Sequence, residues 1–216
     1  MNKHWRNGTV DMNQEIAKQL LAIKAVQIKP NPNDFFTWTS GLKSPIYCDN
    51  RLTMSYPNVR KNITNAFISM IDQLDEKPDV IAGCATAGIP HAAWLANELE
   101  LPMIYIRSSA KKHGKGNKIE GKIEKGKKVI IIEDLISTGG SSVHAALAAK
   151  EAGFDVIGVL AIFTYGLEQA KINFAEKKIT YKTITSFEDL IELLKNRGKV
   201  EENEVKSLMD WRDSLQ

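Results

Sequence analysis

Two adjacent carboxylates, Glu133 and Asp134, follow a run of apolar residues and precede a segment of small hydroxyl residues and glycines. The apolar run, 129–132, has no polar alternation, which is typical of a strand buried on both faces of a parallel sheet. We expect this strand to end at the two carboxylates. The segment after the acids, 137–142, leads into a predicted helix. Its backbone N–H groups and the positive end of the helix dipole could bind a phosphate, and its glycines would let the backbone approach the anion closely.

The acids need a different explanation, because carboxylates beside a phosphate loop would repel the anion. They could accept hydrogen bonds from sugar hydroxyls, or direct a magnesium ion, while the loop holds a phosphate on the same sugar. An ordinary strand-to-helix turn with solvated acids is the alternative. The segment is not a Walker A loop, because no Gly-Lys-Ser/Thr follows, and it lacks the Gly-x-Gly-x-x-Gly order of a dinucleotide site.

A cationic segment, 107–121, follows a strand predicted for 103–106. It has no apolar periodicity, and loops of this length inside a compact domain are usually functional or disordered. Its lysines, arginine, histidine and glycines favour a mobile cationic lid over a polyanionic substrate. A solvated charge run or a nucleic-acid tether is the alternative, although no aromatic residue is interleaved for base stacking.

Composition places the chain among ordinary globular proteins and excludes several partners. The net charge of +3 is too small to indicate nucleic acid. Cys48 and Cys84 are far apart, so neither a disulfide framework nor a metal knuckle is indicated, and a reducing compartment is favoured. The longest apolar run, 156–163, falls short of the ~20 residues of a membrane helix. We expect a cytoplasmic protein with no membrane or nucleic-acid partner.

The order of predicted elements indicates an α/β fold. An amphipathic helix is predicted over 13–26, and the aromatic and β-branched residues of 35–51 predict a hairpin or two short strands, although a plain edge ribbon would give the same pattern. Strands and helices alternate through 79–185, which implies a mainly parallel sheet with helices on its faces and ligand sites at the carboxyl ends of the strands. We divide the chain into three parts. Residues 1–65 form the N-terminal helix and hood, residues 66–185 form the α/β core that carries the lid, and residues 186–216 form C-terminal helices packed on the core.

The stretch 129–141 resembles the phosphoribosyl-diphosphate (PRPP) signature of the type I phosphoribosyltransferases. The resemblance implies the type I phosphoribosyltransferase fold, a central mainly parallel sheet flanked by helices with a small N-terminal α+β hood. In that family the acids hold the ribose hydroxyls and the loop holds the 5′-phosphate. The PRPP-binding residues implied here, among which Asp134 is also implied to be catalytic, are Glu133, Asp134, Leu135, Ile136, Ser137, Thr138, Gly139, Gly140 and Ser141.

The segment FTWTSGLKSPIYCDNR, 36–51, is similar to the hood of the orotate phosphoribosyltransferases, which closes over the base. The resemblance implies that Tyr47 and Ser137 contact orotate. Two positions depart from some relatives. Thr39 stands where those relatives carry an orotate-contacting lysine, and Tyr165 stands where they carry an arginine.

The lid pattern Arg-x-x-x-Lys-x-His-Gly is similar to the catalytic loop of the same family. It implies that Arg107, Lys111 and His113 bind PRPP at its diphosphate, and that Lys111 and His113 are catalytic. A second lysine of some relatives is replaced by Ser108, and an acid by Lys115. Lys111 is therefore the residue on which we expect catalysis to depend most.

The resemblance implies Mg²⁺-dependent transfer of ribose 5-phosphate from PRPP to orotate, giving orotidine 5′-monophosphate and diphosphate in de novo UMP synthesis. It implies Mg²⁺ as cofactor, with no protein ligand assigned, and a homodimer whose lids reach across the interface. Two alternatives stay open. A phosphoribosyltransferase for a purine or uracil would share the PRPP loop but not the hood, and a PRPP-sensing regulator would bind nucleic acid without catalysis.

Overall fold

The computed structural model describes residues 4–37, 41, 43–109 and 118–215, with side chains from residue 12 onward. Trp38, Thr39, Ser40, Lys111 and His113, which carry part of the predicted hood and lid, lie outside the described residues. The elements are α1 His4–Ala22, β1 Val26–Ile28, β2 Phe36–Thr37, β3 Lys43–Ser44, β4 Ile46–Cys48, α2 Pro57–Asp72, β5 Val80–Cys84, α3 Gly88–Leu99, β6 Met103–Ile106, β7 Ile119–Glu120, β8 Lys128–Ile136, α4 Gly140–Glu151, β9 Asp155–Thr164, α5 Glu168–Glu176, β10 Tyr181–Ser186, α6 Phe187–Asn196 and α7 Glu202–Asp213, with 3-10 turns at Pro32–Asp34 and Asn50–Ser55.

A six-stranded sheet in the order β10-β9-β8-β5-β6-β7 forms the centre of the protein. Its strands are parallel except β7, which pairs antiparallel with β6. The central strand β8 is almost wholly buried, because helices cover both faces of the sheet. The prediction of an α/β fold with a mainly parallel sheet is confirmed.

Two hydrophobic clusters pack on the two faces of the sheet. One joins the sheet to α1, α2, α3, α6 and α7, and the other joins it to α4 and α5. Beside the sheet, two antiparallel ribbons, β1–β4 and β2–β3, form the small N-terminal hood. Within the described ranges, no helix is both long enough and apolar enough to cross a membrane.

The N-terminal helix differs from the prediction of 13–26. It begins at His4 and ends at Ala22, and Val26 lies in a strand, where it pairs with Cys48. The strand partner is supplied by a segment some twenty residues away, so a local periodicity could not indicate it. The apolar face of the helix is where the sequence predicted it, because Ile16 and Leu20 are buried in the core.

Candidate functional site

The acid pair lies within β8 rather than at its end. The strand continues to Ile136, which pairs with Thr164 of β9. The expectation that the strand ends at the carboxylates is therefore wrong, because β9 offers a backbone partner beyond them. Successive strand side chains point to opposite faces. The two carboxyl groups still reach each other through a side-chain hydrogen bond, and each acid also has neighbours of its own.

Glu133 faces inward and is held by protein groups. It is only 6% exposed. Its Oε1 accepts from the Asp134 N–H at 3.1 Å, and its Oε2 accepts from the Ser142 hydroxyl at 3.3 Å. Burial raises the pKa of Glu133 to about 8; a hydrogen bond with Cys84 opposes that shift, and the Asp134 charge adds to it.

Asp134 faces the hood. Its backbone carbonyl oxygen accepts a hydrogen bond from Asn50 Nδ2 at 2.7 Å, and this bond joins the 3-10 turn after β4 to β8. Burial raises the pKa of Asp134, and the hydrogen bond with Glu133, backbone hydrogen bonds and, last, the Arg51 charge oppose that shift. The Asp134 charge in turn contributes, after burial itself, to raising the pKa of the half-buried Cys48 and of the buried Tyr165. Asp134 is thus the carboxylate that a ligand under the hood could reach.

The loop after β8 is built for a close approach of the backbone. Gly139 has φ +78°, and a Cβ at this position would lie 2.6 Å from the Phe174 ring, so only glycine fits there. The Thr138 carbonyl accepts from Asn173 Nδ2 at 2.9 Å, which fixes the loop on α5. Helix α4 begins at Gly140 with no side-chain cap from the described residues. Its first N–H groups are therefore available to an anion.

The remaining residues of the predicted PRPP set divide between surface and core. Ser141 is exposed and Ser137 is half-buried, so both hydroxyls can be reached from the loop side. Leu135 and Ile136 pack into the two hydrophobic clusters. A contact between either of these two residues and PRPP would have to come from the backbone.

A second strand–loop–helix unit lies directly beside the first. Strand β5 ends at Cys84 and the Ala85–Thr86 peptide bond is cis. Helix α3 begins at Gly88, and no side chain in the described part of the chain caps it. A Cβ on Gly88 would lie 2.3 Å from the Ile132 carbonyl oxygen. The start of α3 therefore rests on the backbone of β8, one residue before the acid pair, and its N–H groups face the same edge of the sheet.

The base of the lid is anchored. The Arg107 N–H donates to the Lys118 carbonyl at 2.8 Å, and the Arg107 guanidinium pairs with Glu120 at 3.4 Å. Glu120 belongs to β7, so the loop predicted over 107–121 is shorter than expected, because its last residues complete the sheet edge. The structure thus places Arg107 at the root of the segment that carries Lys111 and His113, both outside the described residues.

The hood side of the site is aromatic. Tyr47 is 40% exposed, and its ring centroid lies 5.8 Å from that of Phe36. Tyr165 follows β9 directly and is buried, and the charges of Cys48 and Tyr47 contribute, after burial, to raising its pKa. At neutral pH the position that holds an arginine in some relatives therefore carries an uncharged phenol.

The described residues provide no group of three or more His, Cys, Asp or Glu side chains that could hold a metal ion. Mg²⁺ usually takes one or two protein carboxylates and completes its octahedron with water and substrate phosphates. The more accessible acid, Asp134, lies on the strand that leads into the glycine-rich loop, which fits a Mg²⁺ ion that arrives with a phosphorylated substrate.

Several residues at the site were not predicted from the sequence. Cys84 and Ser142 touch Glu133, and Asn50 touches Asp134. Asn50 lies inside the hood motif at 36–51, but the motif does not indicate that its side chain binds the backbone of β8. No sequence signal pointed to Cys84, because only the sheet register brings it beside the acid strand.

Comparison with known proteins identifies the class. Residues 55–198 match the family described as the phosphoribosyl transferase domain. The chain belongs to this phosphoribosyltransferase family, as the signature at 129–141 implied. A protein from Oceanobacillus iheyensis named orotate phosphoribosyltransferase is 59% identical over 204 residues, covering 94% of this chain and 100% of the relative. The resemblance to the orotate phosphoribosyltransferases is therefore confirmed.

Two solved structures share the fold. The UMP synthase of Leishmania donovani superposes with a TM-score of 0.75 at 26% identity over 94% of this chain, which spans 42% of that longer protein. The orotate phosphoribosyltransferase of Aeropyrum pernix superposes with a TM-score of 0.72 at 24% identity, over 86% of this chain and 99% of its own.

Proposed function

We propose that this chain is an orotate phosphoribosyltransferase, which transfers ribose 5-phosphate from PRPP to N1 of orotate and releases orotidine 5′-monophosphate and diphosphate. This reaction belongs to de novo UMP synthesis. One observation carries the proposal above the others. The strand β8 carries two acidic residues and, a few residues later, a helix N-terminus that no side chain of the described residues caps, entered through a glycine that nothing larger can replace. PRPP carries ribose hydroxyls, which a carboxylate can accept from, and a 5′-phosphate, which a helix N-terminus can bind.

Each part of PRPP has a proposed partner at this edge of the sheet. Asp134 accepts hydrogen bonds from the ribose hydroxyls, and Glu133 supports the same sugar from the inner face. The backbone N–H groups of 137–141 hold the 5′-phosphate. The loop at 85–87, with the start of α3, offers N–H groups to the diphosphate.

Breaking the C1–O bond would build positive charge on the ribose and additional negative charge on the departing diphosphate. Arg107, Lys111 and His113 are proposed to neutralise the second charge, and such preorganised groups commonly supply the largest catalytic contribution. When bound, Mg²⁺ would add Lewis-acid stabilisation of the same oxygens. Among the described residues the carboxylate that fits such an ion is Asp134, directly or through water.

The acceptor is proposed to lie beneath the hood, against Tyr47 and Ser137. Orotate is an anion, so its ring nitrogen needs little help from a general base. Closure of the lid would exclude water that could otherwise hydrolyse PRPP. Because Tyr165 is uncharged, the orotate carboxylate would be bound here by hydroxyl and backbone donors rather than by an arginine at this position.

Three further features belong to the proposal. The chain forms a homodimer in which each lid reaches the partner's site. The division into 1–65, 66–185 and 186–216 separates hood, core and C-terminal helices. The protein works in the cytoplasm, which agrees with the free thiols of Cys48 and Cys84.

The test is to follow orotate absorbance with PRPP and Mg²⁺ for the wild type, Lys111→Ala and Lys112→Ala. Lys112 is a matched control, because it is a neighbouring lysine of the same loop. We expect consumption that requires both PRPP and metal and falls about 10²–10³-fold in Lys111→Ala, with little change in Lys112→Ala. If PRPP binds but neither orotate, uracil nor purines are consumed, the enzyme proposal fails and a PRPP-sensing regulator remains.

A further inference from the structure

A small network of buried polar groups connects the hood, the acid strand and helix α3. Its members are Asn50 and Thr53 of the 3-10 turn and His91 of α3, each at most 1% exposed. Asn50 Nδ2 donates to the Asp134 carbonyl at 2.7 Å. Thr53 Oγ1 donates to the Asn50 carbonyl at 2.5 Å and lies 3.2 Å from His91 Nε2.

The hydrogen-bond directions in this network follow from proton counting. A threonine hydroxyl has one proton, and the Asn50 carbonyl can only accept it. Thr53 Oγ1 must therefore accept from His91, which places the imidazole proton on Nε2. The network thus runs in one direction, from the α3 histidine through Thr53 to the residue that holds Asp134.

The network pins α3 to the acid strand at a second point. The first is the close approach of Gly88 to the Ile132 carbonyl. His91 lies three residues further along the same helix, so two contacts about one turn apart fix the position of α3 relative to Asp134. Buried polar groups without a partner are costly, and the Asn50 Oδ1 and His91 Nδ1 atoms have none among the described residues.

We infer that Asn50, Thr53 and His91 are positioning residues that set the spacing between the ribose-binding acids and the diphosphate loop ahead of α3. The inference rests on the proposed function, since it assigns the two ends of one PRPP molecule to Asp134 and to the 85–87 loop. A ligand that spans both ends gains affinity from their correct separation, whereas a fragment that occupies one end does not. The network therefore acts on PRPP as a whole.

The experiment compares PRPP with its two fragments. The affinities of PRPP, inorganic diphosphate and ribose 5-phosphate are measured by calorimetry with Mg²⁺ for the wild type, Thr53→Val, Thr53→Ser and Thr64→Val. Thr64 is the matched control, because its buried hydroxyl also donates to a backbone carbonyl, that of Arg60 at 3.0 Å, but within a single helix. Thr53→Ser keeps the hydroxyl and tests whether the bond rather than the methyl group matters.

We expect Thr53→Val to weaken PRPP about 10-fold, the upper range for one buried hydrogen bond, with both fragments within about 2-fold of the wild type. Thr53→Ser and Thr64→Val should bind all three ligands as the wild type does. Equal binding of PRPP by the wild type and Thr53→Val would overturn the inference. The inference would also be overturned if Thr53→Val weakened inorganic diphosphate as much as it weakens PRPP. The network would then only support the diphosphate loop and would not set its distance from Asp134. A wild-type protein that does not bind PRPP at all would instead refute the proposed function.

Discussion

Replacement of Gly139 by alanine tests whether the loop after β8 depends on close backbone packing. Gly139 has φ +78°, and its Cβ would meet the Phe174 ring at 2.6 Å. Phe174 cannot easily move, because it is 1% exposed and stacks on Tyr181 with ring centroids 4.3 Å apart. The substitution therefore combines a strained backbone with overpacking.

The size of the effect can be separated into these two parts. Placing alanine in the left-handed region costs about 1–2 kcal/mol, and overpacking a rigid core adds about 1–3 kcal/mol. Gly126 has nearly the same dihedral, φ +77°, but a Cβ there would meet nothing within 4 Å. Gly126→Ala thus reports the backbone strain alone, and we expect Gly139→Ala to lose about 2–5 kcal/mol of unfolding free energy against about 1–2 kcal/mol for Gly126→Ala.

Urea unfolding of the wild type and both variants measures these free energies, and calorimetry with PRPP gives the functional consequence. We expect PRPP affinity to fall in Gly139→Ala and to stay unchanged in Gly126→Ala. Only the loop that contains Gly139 is proposed to hold the 5′-phosphate. Equal losses of stability in both variants would refute the steric argument. Unchanged PRPP binding in a destabilised Gly139→Ala protein would refute the assignment of the loop.

Three further predictions concern protonation and the base pocket. The pKa of Glu133 is raised from 4.5 to about 8, so the native state binds the carboxyl proton more tightly than the unfolded state does. The free energy of unfolding of the wild type should therefore fall relative to that of Glu133→Gln as the pH rises from 4.5 to about 8. Parallel plots of unfolding free energy against pH for the two proteins would contradict this. Burial lowers the pKa of His91 from 6.5 to about 4, so the free energy of unfolding should fall as the pH falls through that range. At neutral pH, ¹⁵N NMR should find a neutral His91 ring with its proton on Nε2. A charged imidazolium at neutral pH would contradict both predictions. Tyr47→Ala should raise the KM for orotate about 3- to 10-fold, because the base loses a stacking partner. Tyr56 is the control, since its side chain is 43% exposed against 40% for Tyr47, and Tyr56→Ala should leave this KM unchanged. Equal changes of KM in the two variants would show that Tyr47 does not line the base pocket.

The fold class, and the strand and loop that carry the candidate site, could be predicted because they depend on local patterns. An unbroken apolar run such as 129–132 buries both faces of a strand wherever it lies, and glycines and hydroxyls before a helix imply an anion loop through backbone geometry alone. The alternation of strands and helices then limits the topology to a mainly parallel sheet with sites at one edge. These inferences needed no knowledge of which strands are neighbours.

Features that depend on strand neighbours could not be predicted. The sequence predicts that β8 ends at the carboxylates, whereas the strand continues to Ile136 because its backbone partners belong to β9. The lid was predicted too long, since Ile119 and Glu120 find their partners on β6. In both cases a segment of ambiguous local preference becomes a strand only when a partner edge is present.

The sequence by itself determined which chemical groups the candidate site offers: two adjacent acids, a loop rich in glycine and hydroxyl residues before a helix, a cationic segment and the hood, each within one continuous stretch of the chain. The tertiary structure decided how the two acids differ. It buries Glu133 beneath Ser142 and turns Asp134 toward the hood, where Asn50, 84 residues away in the chain, holds its carbonyl. The physical reason is that side-chain direction, burial and hydrogen-bond partners at the sheet edge are set by strand register and helix packing, which join residues that no local pattern connects.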